Sequence, residues 1–136
     1  HFYGTIKEPS YAEMIAILGV RLQQRNITLR MHSQKKSPVQ YYADLKKLGN
    51  LYLLDEDGVE YSSIQFAESV SNWHIGTEDV NIAIGPVDGW NNKEHVKSKL
   101  ISLSKMTFPH ELAAVILVEQ IYRATEINRG SQYHRG

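Results

Sequence analysis

The chain has 136 residues, 42% hydrophobic and 22% charged, which suits one domain with a real core, 1–136, and is ordinary for a globular protein. It contains no cysteine, which excludes disulfides, thiolate nucleophiles and cysteine-ligated zinc and fits a cytoplasmic protein. No apolar run approaches a membrane span and the start has no signal-peptide pattern, so a membrane role is not expected. The 15 basic residues balance 15 acidic ones, but unevenly. Residues 1–48 hold eight Lys/Arg against three Asp/Glu, whereas 49–100 hold three against nine. A basic front half suits a phosphate-facing stripe, although charge alone favours a merely solvated surface.

In chain order, residues 1–6 read as the end of a first strand. Ser10 to Glu13 has the spacing of a capping box, and Tyr11, Met14, Ile15, Leu18 and Leu22 follow as a helical stripe. Ile27 to Met31 alternates like a half-buried strand. Ser37-Pro38-Val39-Gln40 opens a second helix that Gly49 closes. Leu51 to Leu54 is a compact apolar strand, followed by the acidic turn Asp55-Glu56-Asp57-Gly58. Ser62 to Gln65 is another capping box, with Phe66, Val70 and Trp73 on one helical face. Val80 to Ile84 is the clearest strand, Asn91 to Glu94 caps a short helix, and Leu100 to Leu103 is the last strand. Thr107 is placed to cap the long helix that follows, with Pro109 in its first turn. Leu112 to Val118 is apolar nearly all round, Glu119 and Arg123 have ion-pair spacing, and Asn128-Arg129-Gly130 is a helix stop.

This alternation of strands and helices predicts an α/β fold, a parallel-rich open sheet of about five strands with helices on both faces. Ligands of such sheets bind beyond the carboxyl ends of the strands, here the loops after Leu54, Ile84 and Leu103. Neither GxGxxG after a strand nor GxxxxGK[ST] is present, so a Rossmann dinucleotide site and a P-loop are unsupported. Gly85 and Gly89 bracket a short turn, which serves either close backbone approach to a ligand or simply a tight connection. The polar tail Tyr133-His134-Arg135 carries reactive side chains, yet a frayed chain end would read the same way. His110 suits a helix-capping role, while Trp73, His74 and Trp90 suit packing better than base stacking. The acidic run lacks EF-hand spacing, so no metal is expected.

The blocks LSKMTFPHEL, VEQIYRA, INRG and YHR resemble the C-terminal signature of the RlmH family, SPOUT-class methyltransferases with a trefoil knot. Leu53-Leu54-Asp55 with Gly58, Ser62-Ser63 and Phe66-Ala67 match the same family upstream, and Ile84 to Gly89 stands where its glycine-rich loop falls. The likeness covers roughly the last 85 residues well. It implies a C-terminal knot and S-adenosylmethionine as cofactor, held by Leu54, Gly85, Gly89, Leu103, Ser104, Lys105, Met106, Thr107 and Phe108. Tyr133, His134 and Arg135 would be catalytic. The implied reaction is methyl transfer to N3 of a pseudouridine in large-subunit (23S) ribosomal RNA. The implied partners are the ribosome and a second copy of the chain, a homodimer with its site near the interface. Pro86 departs from the family's second glycine and removes a backbone donor, and Ala114 stands where relatives often carry Arg. Two other readings fit the same residues, a catalytically inactive knotted ribosome-binding protein and an unrelated small-ligand-binding flavodoxin-like domain.

Overall fold

The computed structural model describes residues 1–90 and 99–136. Its strands are β1 (Phe2–Tyr3), β2 (Met31–His32), β3 (Leu51–Glu60), β4 (Asn81–Ile84) and β5 (Leu100–Ser102). Its helices are α1 (Pro9–Gln23), α2 (Pro38–Lys46), α3 (Ser63–Ile75) and α4 (His110–Asn128). Among the described residues every strand pairing is parallel: β1 with β2, and β3 between β4 and β5. His1 joins the two ladders, its amine donating to the Ile82 carbonyl at 2.8 Å and its carbonyl accepting from Ile84 N–H at 2.9 Å. The described residues therefore hold five parallel-paired strands as expected, but in two ladders, of two and three strands, and not in one continuous sheet. The expected helix opened by Asn91 to Glu94 lies outside the described residues.

Side-chain alternation along the strands sorts the core into two layers, because successive residues point to opposite faces. Tyr52, Leu54, Ile82, Ile84 and Ile101 pack with Ile15, Leu18 and Leu22 of α1, Phe66 and Val70 of α3, and the apolar face of α4. Leu53, Ala83 and Leu100 face the other way, onto Tyr41 and Leu45 of α2 and onto Trp90. Helices thus cover both faces, as the near-continuous apolar strands require. Trp73 packs against Tyr52 and Phe66, and Trp90 stacks on Tyr41, so both indoles are packing groups here.

Some expectations are corrected. α1 begins at Pro9 after Glu8, with no side-chain cap, so Ser10 and Glu13 form no capping box, and Met14 is exposed. Proline suits the first helical position because no partner is lost there. β2 is paired only at Met31–His32, although Ile27 and Leu29 still turn inward. β3 does not stop at Leu54. Ile101 opposes both Leu54 and Val59, so Asp55 to Gly58 bulges from the ladder and the strand resumes to Glu60. At Gly58 an added Cβ would stand 2.6 Å from the Leu100 backbone and 2.7 Å from that of Ile101, so the bulge crosses β5 with no room for a side chain.

Candidate functional site

The loops after β3, β4 and β5 lie side by side, since Leu54 is in register with Ile84 on one flank and with Ile101 on the other. Strands neighbour one another at about 4.8 Å, so Leu54, Gly85 and Leu103 share one edge of the sheet. The β4 loop closes as a turn in which Gly89 N–H donates to the Pro86 carbonyl at 2.8 Å. Gly89 has φ +79°, and nothing lies within 4 Å of where its Cβ would stand. Gly85 is buried against the Trp90 indole, and Trp90 Nε1 donates to the Leu54 carbonyl at 3.0 Å. Trp90 therefore braces the β3 and β4 loops against each other.

The loop after β5 has its own internal order. Ser102 Oγ donates to the Ser104 carbonyl at 2.8 Å, and Met106 N–H donates to Ser104 Oγ at 3.0 Å. Lys105 and Met106 project outward, Met106 at 74% exposure, so Met106 does not wall a pocket formed by the described residues. Thr107 is not the N-cap of α4: Pro109 holds that position, and the Thr107 hydroxyl donates to Glu56 Oε2 at 2.6 Å. That bond ties the β5 loop to the β3 bulge. The acidic run, read as a solvated turn, thus supplies a loop anchor through Glu56. Phe108 is half-buried, and His110 stacks on Phe2 with ring centres 5.0 Å apart. The set fits a cofactor recognised mainly through backbone, with an open glycine face and polar loop atoms at one sheet edge.

The tail is not frayed. Tyr133 Oη donates to Glu119 Oε1 at 3.2 Å, and its ring packs edge-on against Tyr122. His134 Nδ1 lies 3.1 Å from Arg123 Nη1, while Arg123 Nε and Nη2 donate to Glu119 Oε1 at 3.0 and 2.8 Å. Burial, and then the Glu119 carboxylate, raise the Tyr133 phenol above its ordinary pKa. Arg135 is exposed. The expected Glu119–Arg123 ion pair is present, but it also holds the tail, a role that helical spacing alone did not reveal. The root of the tail is fixed by Glu126, which is buried and bonded to Arg25 at 2.9 Å and Arg129 at 3.0 Å.

The two groups of candidates are not brought together within the chain. α1 and α4 run parallel: Glu111 accepts from Lys7 and Glu8 N–H at one end, and Glu126 meets Arg25 at the other. α4 starts just after the β5 loop, and the tail docks at Glu119 and Arg123. At 1.5 Å per residue, those positions lie roughly 14 and 20 Å along the helix from His110. Reacting groups must approach to about 3–3.5 Å. A cavity of about 760 Å³ lies elsewhere, bounded by Ile27 to His32, Val80 to Ile82, Trp73 and Leu117. Among the described residues, no cluster of His, Asp and Glu is arranged to hold a metal, and no helix is long and apolar enough to cross a membrane.

Comparison with known proteins bears on this arrangement. A family profile described as "Predicted SPOUT methyltransferase" matches residues 3–134. A protein of Synechococcus sp. named Ribosomal RNA large subunit methyltransferase H is 37% identical over 134 residues, 97% of this chain and 90% of that one. A protein of the same name from Prochlorococcus marinus is 34% identical over 134 residues, 97% of this chain and 91% of that one. Another from Koribacter versatilis is 46% identical over 90 residues, 63% of this chain and 60% of that one. With a match running from Tyr3 to His134 across both halves of the candidate site, this chain belongs to the SPOUT methyltransferase family.

Proposed function

We propose that this protein is a ribosomal RNA large-subunit methyltransferase that uses S-adenosylmethionine and methylates N3 of a pseudouridine. The observation that carries the reading is the family match over residues 3–134, joined to relatives of that name aligned over 90% and 91% of their own length. The inactive ribosome-binding protein and the flavodoxin-like binder are not favoured by those relatives.

Leu54, Gly85, Gly89 and Leu103 to Phe108 would hold the cofactor against the sheet edge, with backbone groups of the β4 and β5 loops as its polar partners. When bound, S-adenosylmethionine supplies a methyl group activated by a positively charged sulfur. The N3–H bond of the base breaks with its proton passing to water. The bound cofactor would supply its methyl carbon to the freed nitrogen pair and leave as the neutral thioether, the C–S pair remaining on sulfur. Tyr133, His134 and Arg135 would receive the base, Tyr133 packing against it, His134 hydrogen-bonding its edge and Arg135 meeting phosphate.

The separation of roughly 14–20 Å along α4 supports a second copy of the chain as partner. In a two-fold homodimer the tail of one protomer can reach the loops of the other, which it does not do at home. The residues 1–136 would then act as one domain per protomer. Incubating the protein and methyl-labelled S-adenosylmethionine with ribosomes that lack the modification tests the reading. Label is expected on a single pseudouridine of the large-subunit RNA. Label on no RNA, or on another class of acceptor, contradicts it.

A further inference from the structure

The contact between Arg123 and His134 assigns a proton. Arg123 Nη1 stands 3.1 Å from His134 Nδ1, and a guanidinium has only donors to offer. Nδ1 must therefore accept, and it carries no hydrogen. Turning the ring over would set a carbon-bound hydrogen against the guanidinium and lose the bond. Nor is the guanidinium free to swing away. Glu119 Oε1 holds its Nε and Nη2, and its carbon lies 5.0 Å from the centre of the Tyr133 ring. Among the described residues, the charged and titratable groups around the imidazole are Arg123, Glu119 and Tyr133, with Arg135 next along the chain and Gly136 beside the Cε1–Nε2 side of the ring.

We propose that Arg123 is a positioning residue that fixes His134 in the neutral tautomer bearing its proton on Nε2. His134 then serves the reaction as a hydrogen-bond donor, not as the acceptor of the N3 proton. The inference deepens the methyltransferase reading and rests on it. Removing the N3 proton leaves negative charge spread over the two carbonyl oxygens that flank N3. An Nε2–H aimed at one of them stabilises that charge where it develops, the same physics as an oxyanion hole. The proton itself leaves to water. The Glu119–Arg123–His134 chain is then a relay of orientation: the carboxylate holds the guanidinium, and the guanidinium chooses the tautomer.

Two-bond proton–nitrogen NMR correlations on the full-length, nitrogen-labelled protein at neutral pH read the tautomer without RNA or cofactor. The expected spectrum shows His134 protonated on Nε2 and bare on Nδ1. Arg123→Lys, which keeps a donor, should preserve it, while Arg123→Met should give mixed tautomers. In methyl transfer, His134→Ala should lower kcat about 10²–10³-fold, and His134→Gln, whose amide still donates, should stay within about tenfold of the parent. An active enzyme with the His134 proton on Nδ1 overturns the inference. So does an unchanged tautomer in Arg123→Met, or a His134→Gln variant as inactive as His134→Ala. A protein showing the expected tautomer but methylating no RNA removes instead the function on which the donor role stands.

Discussion

Glu126 joins stability to the candidate site at the level of a single residue. It is buried, it pairs with Arg25 and Arg129, and its carboxyl pKa is lowered, first by the Ser131 hydroxyl and then by Arg129 and Arg25. A carboxylate lowered in the folded state adds stability that is complete above its ordinary pKa, about 4.3, and lost as pH falls through the folded value. Glu126→Gln should therefore flatten the acid limb of a denaturation-versus-pH series, and an unchanged limb would refute the assignment. Glu126→Ala leaves the Arg25 and Arg129 guanidinium groups without their carboxylate partner. The expected cost is about 2–3 kcal/mol, below that of a fully buried pair because Arg25 and Arg129 are 26% and 54% exposed. Sequence spacing made the Glu119–Arg123 pair legible, being a local feature of one helix. It did not show what the pair holds, because the contact with His134 depends on how the chain turns after Gly130.

Helix and strand boundaries follow the same division between local and distant causes. The Ser62–Gln65 capping box is present in full, since both of its bonds lie within four residues. Ser62→Ala should lower stability by about 1 kcal/mol in chemical denaturation, and no measurable loss would contradict the cap. The similar-looking Ser10–Glu13 spacing is not used, because Glu111, more than 100 residues away, accepts from Lys7 and Glu8 N–H at that helix start. Thr107 likewise gives up capping for Glu56. β3 outran its apolar core, Leu51 to Leu54, because resumed pairing after a bulge depends on the partner strand. Gly58 marks that crossing. Gly58→Ala should destabilise the protein by about 1–3 kcal/mol, because its Cβ meets backbone, which cannot rotate aside. A neutral substitution would mean that the bulge is looser than the structure has it.

Across the whole molecule, the loops expected to bind ligand do share one sheet edge, as the rule for open parallel sheets anticipates. Alternation of strands and helices suffices for that inference. Distance along α4 does not emerge from motifs, and it separates those loops from the tail. Truncation after Gly130 should consequently leave the fold cooperative while abolishing methyl transfer. A tail that merely frays would instead be dispensable.

Subunit complementation tests the two-copy site most directly. One variant is truncated after Gly130. The other is Gly89→Val, which puts a branched side chain at φ +79° in the β4 loop and keeps the tail. Each alone should be inactive. After subunit exchange at equal concentrations, half of the dimers join one intact loop set to one intact tail, restoring about a quarter of wild-type activity. A mixture no more active than its components, or a truncated protein active by itself, would contradict a site assembled from two copies.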